Sequence, residues 1–459
     1  MLYYSTRNPE LRHTLDQVIL NGLAPDGGLY LPQKFNQLPP EFWDRATSLT
    51  YQQILYEVLI TLTAGDEYNR QELKEEIEAI FDFQPELIAL ETDLTMMDLN
   101  TGPTSAFKDY GANTLGIFLR SIISQSANVS SRRVNTTQLK KTVLVATSGD
   151  TGAAVANSLK DYGLSPAIQV VILYPKGRVS EDQRLLMTTI GGNITCLEVD
   201  GTFDDCQAMV KQAMSDPAIK ERLTSANSIN LIRLYGQVAH FIYAGSRGID
   251  PKIPNLYCVP SGNLGNVTAG YIAMVMGNPT KQFLVGHNTN DMFNQFVLEG
   301  ITNNQNTAKA TISSAMDISR PSNLERLVVL FGGSYNLDGT IQTMPDITAM
   351  QKVFYVQGFG DEQTQIKIKQ VQDNYNQAID PHTAIGFLVL EQCIATQHPE
   401  YKEVPAVILS TAHCSKFGQI YFDSVGAQAP VSGPILEARG KPEHIVSIGA
   451  SYGELVKWL

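Results

Sequence analysis

From about residue 94 the chain repeats one unit: a short apolar run, a loop rich in Gly and polar side chains, then a helical pattern. The run 142–147 leads into Ser148-Gly149-Asp150-Thr151-Gly152 and a helical pattern over 153–162. Residues 168–173 read as strand and 180–189 as helix capped by Ser180. Residues 194–199 read as strand and 202–223 as helix capped by Thr202. Residues 256–260 then precede Ser261-Gly262-Asn263-Leu264-Gly265-Asn266 and a helix over 267–276. A helix over 383–396 and a strand over 406–410 resume the pattern. Such alternation requires an open, mostly parallel α/β sheet with helices on its faces. Ligands of such sheets sit beyond the C-terminal ends of the strands, where these loops lie.

Two stretches stand outside the repeat. Residues 1–95 read as a largely helical accessory domain, with helical spacing over 49–62 and 71–80 and a turn-rich stretch over 21–32. Residues 300–380 are irregular, with a polar loop over 303–306 and a polar helix candidate over 363–377. The expected division is an N-terminal domain over 1–95, a lysine-bearing small α/β domain over 96–245 and a large α/β domain over 246–459. The irregular insertion falls in the last of these.

The chain has 459 residues, of which 43% are hydrophobic and 17% charged, a compact globular composition. A net charge of −12 argues against nucleic acid or an anionic membrane surface as partner. An anionic small substrate would need local helix N-termini, hydroxyls and a few cations. The five cysteines are an odd number without a C-x-x-C pair, so neither a disulfide framework nor a metal site is expected. Reduced thiols, an N-terminus unlike a signal peptide and no long apolar run point to the cytoplasm.

Chemistry is concentrated in four places. Lys108 stands where Gly102-Pro103-Thr104-Ser105-Ala106-Phe107 turns into an apolar helix over 112–123. The positive end of a helix disfavours a charged amine, and a nucleophilic lysine must be unprotonated. An ordinary solvated lysine at a helix start is the plainer alternative. Gly262-Asn263-Leu264-Gly265-Asn266 has the strand–loop–helix setting of a phosphate cradle but matches neither a dinucleotide nor a triphosphate fingerprint. A tight turn tolerating positive φ is equally compatible. Ser148 to Gly152 offers hydroxyls and N–H groups to a carboxylate, or simply a helix cap. After the strand 406–410 comes Thr411, a neutral hydroxyl. The adjoining His413 and Cys414 are set aside as a nucleophile pair, because neighbours on an extended chain point opposite ways.

In combination these segments resemble the threonine synthases, pyridoxal-phosphate enzymes of the tryptophan-synthase-β type fold. The resemblance rests on Pro103 to Asp109, Ser148 to Gly152, Thr411-Ala412-His413 with Lys416-Phe417, Asn227 to Asn230 with Arg233, and Asp26 to Pro32 of the long form. It implies pyridoxal 5′-phosphate as cofactor and O-phospho-L-homoserine as substrate, giving threonine and phosphate. Lys108 would tether the cofactor and act as base. Gly262, Asn263, Leu264, Gly265 and Asn266 would hold the cofactor phosphate and Thr411 the pyridine nitrogen. Asp150 would lie near the 3′-oxygen, where relatives carry Asn, which leaves its side-chain role open. Thr104, Ser105, Ser148, Gly149, Thr151, Asn230 and Arg233 would bind substrate, with Arg184 a further candidate for its phosphate. A monomer or homodimer without metal is expected. A Ser/Thr dehydratase-type lyase and a non-catalytic phosphate-ligand-binding relative are the competing readings.

Overall fold

The computed structural model describes residues 1–64, 68–130, 141–160, 167–247, 253–301 and 307–459, so the polar stretch 303–306 lies outside the described residues. Two mostly parallel sheets carry the α/β part of the chain. The larger has six strands in the order Phe354–Gly358, Thr280–His287, Asn255–Pro260, Ala406–Ser410, Leu94–Asp98 and Glu86–Glu91. All its pairings are parallel except that of the Glu86–Glu91 edge. The smaller has five parallel strands in the order Ile445–Gly449, Ile194–Asp200, Ile168–Pro175, Lys141–Ala146 and Leu223–Ser225.

The inner strands are short apolar runs largely buried on both faces, as in Lys141–Ala146 and Ala406–Ser410. Ser180 and Thr202 cap their helices through reciprocal bonds with Gln183 and Asp205. The Thr202-capped helix spans only Phe203–Ser215, against an expected end at 223. Pro217 disfavours helical backbone at Asp216, and Leu223–Ser225 leaves to pair with Thr142–Leu144.

Sheet membership departs from the expected division in two ways. Leu94–Asp98, which leads to Lys108, pairs with Ala406–Ser410 of the larger sheet. Ile445–Gly449 returns to the smaller sheet beside Cys196–Asp200. The irregular region contains a full unit, strand Phe354–Gly358 and helix Asp361–Tyr375. The N-terminal part adds a three-stranded antiparallel sheet, Tyr3–Ser5, Arg12–His13 and Tyr30–Pro32, to its helices. No helix among the described residues is long and apolar enough to cross a membrane.

At the centre lies Leu231–Ser246, buried along its whole length. It packs against the Lys108–Ser130 helix with almost no side chain between them. A Cβ at Gly111 would stand 2.6 Å from the Arg233 carbonyl, and one at Gly236 2.6 Å from that of Tyr110. Glycine at both positions is therefore a packing requirement.

Candidate active site

Three adjacent strands of the larger sheet end at the same cavity. Leu94–Asp98 leads to Lys108, Asn255–Pro260 to the glycine-asparagine loop and Ala406–Ser410 to Thr411. The opposite wall comes from the smaller sheet, through Ser148, Asp150 and Thr151 after Lys141–Ala146, and from Arg233 on the central helix. The cavity thus lies at the C-terminal strand ends of both sheets.

Lys108 begins its helix, fixed by an N–H···O bond from Phe107 to Thr411 O at 3.0 Å and a bridge between Ala106 and Ala412. Its Nζ lies 3.4 Å from Asp150 Oδ2. Burial pushes the amine below its ordinary value; Asp150 opposes this, and the charges of Lys416 and Arg233 reinforce it. Burial alone would raise the Asp150 carboxyl, but Lys416 and Lys108 outweigh it and hold the group well below the usual carboxylate range. Lys416 Nζ and Gln183 Nε2 both donate to Asp150 Oδ1, at 2.9 and 3.0 Å.

The glycine-asparagine loop is shaped for an anion. Leu264 takes φ 59°, and helix Gly265–Val275 starts with no side-chain cap. Its first N–H groups are therefore left to a ligand. Asn266 is buried; its Oδ1 lies 3.0 Å from His240 Nε2, and its Nδ2 has no partner. Burial pushes His240 down to about 3, so the ring is neutral and Nε2 is the nitrogen that donates. Asn263 holds the neighbouring loop: its Oδ1 accepts from Ser322 N at 3.2 Å and its carbonyl from Asn323 Nδ2 at 3.0 Å. Gly262 is needed on the outer side, where a Cβ would lie 2.8 Å from Met316 Cα.

Arg233 is 2% exposed. Its Nη1 donates to Ala226 O at 2.7 Å, while its Nε has no partner. No carboxylate forms an ion pair with it among the described residues, and burial lowers its pKa to about 10 against the opposing pull of Asp109. An unpaired buried guanidinium at a cavity wall is a site for an anion.

Several expected residues are elsewhere. Thr104 donates from N and Oγ1 to Asp109, at 2.8 and 2.5 Å, and braces the turn before Lys108. Ser105 (φ 53°) donates to Ser432 Oγ at 2.9 Å. Neither lines the cavity, because Thr104 is turned to Asp109 and Ser105 to Ser432. Asn230 is a fully buried cap of the central helix, donating to Ile19 O and Ser225 O. Gly149 packs against Gln183 at φ 139°, behind the wall. Arg184 pairs with Glu443 at 3.2 Å, away from the cavity.

Two groups escaped sequence reasoning. Asp380 caps the Pro381–Thr396 helix and binds His382 Nδ1, while His382 Nε2 accepts from Ala315 N–H at 3.2 Å and so faces the cavity wall. Asp followed by Pro at a helix start was the available signal. Lys416 gave none beyond its place in the resemblance.

Residues 2–81 match the family described as "Threonine synthase N terminus", and residues 87–408 match "Pyridoxal-phosphate dependent enzyme". The threonine synthase of Serratia marcescens is 32% identical over 100% of this chain and 99% of its own length. The chain belongs to the threonine synthases. Solved structures agree. The PLP-bound threonine synthase from Brucella melitensis superposes with a TM-score of 0.87 at 27% identity, covering 100% of this chain and 98% of its own. The enzyme from yeast does so with 0.88 at 28% identity, over 99% and 97%. As a threonine synthase the chain is a lyase that uses pyridoxal 5′-phosphate. Its residues fit that cofactor: a lysine amine at the cavity whose partner, Asp150, is 3.4 Å away, an uncapped helix start, and an unpartnered amide at Asn266.

Proposed function

We propose that the chain converts O-phospho-L-homoserine and water into L-threonine and inorganic phosphate. The observation that carries this substrate assignment is Arg233, a buried cation with an unused N–H on the cavity wall. It suits the γ-phosphate of the substrate, apart from the uncapped Gly265–Val275 helix that suits the cofactor phosphate. The start of the Asp150–Leu159 helix, with Ser148 and Thr151, takes the substrate carboxylate.

Bound pyridoxal phosphate supplies an electron sink for charge developing at the substrate carbons. Lys108 tethers it, then takes the Cα proton and carries protons between the substrate carbons. Thr411 would meet the pyridine nitrogen with a neutral hydroxyl, which, unlike a carboxylate, would not hold that nitrogen protonated. The five free, buried cysteines support a reducing compartment such as the cytoplasm.

The test is to incubate holoenzyme with phosphohomoserine and measure threonine and phosphate together. Equimolar release is expected. Arg233→Met removes a charge-assisted contact worth about 3 kcal/mol, so KM is expected to rise about 100-fold. 2-Oxobutyrate formed from threonine, with phosphohomoserine inert, would instead identify a dehydratase. Phosphohomoserine binding without turnover would identify a non-catalytic relative.

A further inference from the structure

Lysine is rarely buried completely, yet Lys416 is 2% exposed. It sits in the short turn Cys414–Phe417 that follows the Thr411 strand end of the larger sheet. Its Nζ meets Asp150 Oδ1 at 2.9 Å, and Asp150 belongs to a helix of the smaller sheet. The other oxygen of the same carboxylate faces Lys108 Nζ at 3.4 Å. One buried carboxylate is therefore shared by two lysines from two other elements.

The charges in this cluster do not cancel. With both lysines protonated and Asp150 ionised, the cluster carries one surplus positive charge, and Arg233 on the central helix adds another. Asp109, next to Lys108 and bonded by Thr104, offsets the Arg233 charge, so one surplus positive charge remains in the group. His382, from the Pro381–Thr396 helix, lines the same cavity with its Nδ1 bound to Asp380; His413, near Lys416, has its Nδ1 2.8 Å from Ser415 Oγ. A low-dielectric site disfavours such a surplus, and one proton must be held loosely. The closer and more deeply buried contact belongs to Lys416; the longer belongs to Lys108, whose side chain opens on the cavity.

We propose that Lys416 is a positioning residue: through the carboxylate it shares with Lys108, it keeps the Lys108 nitrogen free of its proton when a base is needed. Lys416 and Gln183 hold Asp150 ionised and engaged on one oxygen, so that Asp150 orients Lys108 without binding its proton tightly. The inference rests on the reading of Lys108 as tether and base.

The two partners act on Lys108 with opposite sign, and that gives the test. Holoenzymes of wild type, Lys416→Met, Lys416→Arg and Asp150→Asn are compared by the acid limb of kcat against pH, and by the pH midpoint of the bound cofactor's visible absorbance. Lys416→Met leaves Asp150 wholly to Lys108, so both midpoints move to higher pH, by about one unit for charges at this range. Asp150→Asn leaves two lysines repelling, so both midpoints move lower by a similar amount. Lys416→Arg keeps the charge and stays near wild type. A cross-sheet strut of purely structural purpose would lower rates in both neutral variants without moving either midpoint, and that result overturns the proposal. Shifts of the same sign overturn it as well. Should Lys416→Met not fold, the direction of the Asp150→Asn shift decides. Lys108→Ala separates the underlying reading: cofactor that borohydride still fixes covalently to that variant refutes the tether, whereas loss of this adduct with unmoved midpoints in the other variants refutes only the role of Lys416.

Discussion

The backbone contact between the two central helices gives a quantitative expectation for Gly111→Ala. The new Cβ would lie 2.6 Å from the Arg233 carbonyl, whereas ordinary contact starts at 3.4 Å. The helices must part by about 0.8 Å along that line. Backbone stands on the far side, so no rotamer change absorbs the clash, and overpacking of this kind costs about 1–3 kcal/mol. Lys108 lies one turn before Gly111 on one helix, and Arg233 is the contacted residue on the other. Parting the helices therefore moves the base away from the guanidinium. A misplacement near 1 Å costs about 100-fold in rate, which sets the expected loss in kcat/KM for phosphohomoserine. The cofactor cup belongs to other elements, so visible absorbance should survive while the melting temperature falls. Steady-state kinetics, absorbance and calorimetry on the same preparation check all three. Wild-type kcat/KM and melting temperature in Gly111→Ala would refute the tight-crossing explanation.

Two further outcomes follow from buried polar groups. Asn266→Asp replaces an unpartnered amide donor by a carboxylate in the cup assigned to the cofactor phosphate. The dissociation constant for pyridoxal phosphate should rise at least about tenfold in a fluorescence titration. Asp98 is raised from 3.8 to about 6 chiefly by burial; Asn100 N–H opposes the rise, and Glu86 and Asp380 add to it. Its folded value exceeds its unfolded one, so its stabilisation is complete below pH 4 and is lost as pH rises through 6. Asp98→Asn should flatten the urea midpoint against pH between 4 and 7, and an unchanged slope would count against the assignment.

Much of the α/β unit pattern was legible because each signal is local. The Ala406–Ser410 strand and the Ser180 cap appear where an apolar run and a hydroxyl at a helix start place them. The strand Phe354–Gly358 escapes a local reading because its five residues follow the short helix Ile347–Val353 directly and precede a Gln/Lys-rich helix. Its burial comes from pairing with Phe283–His287, a contact invisible in a local window. Nearness to Lys108 in the chain made Thr104 and Ser105 look like substrate ligands. The turn spends both on itself, through Asp109 and Ser432. The resemblance places Asn230 among the substrate ligands, whereas its side chain is consumed in capping the helix and in bonds to Ile19 O and Ser225 O.

The sequence alone determined the parallel α/β class, the lysine, the anion-shaped loop and the family they resemble. Each of these is written in a few consecutive residues whose backbone preferences and side-chain types act locally. Only the tertiary structure decided which sheet carries Lys108, which cation remains unpaired at the cavity, and that Lys416 and Lys108 share Asp150. Those are questions of distance between elements up to 266 residues apart, and of which partner reaches a buried charge first.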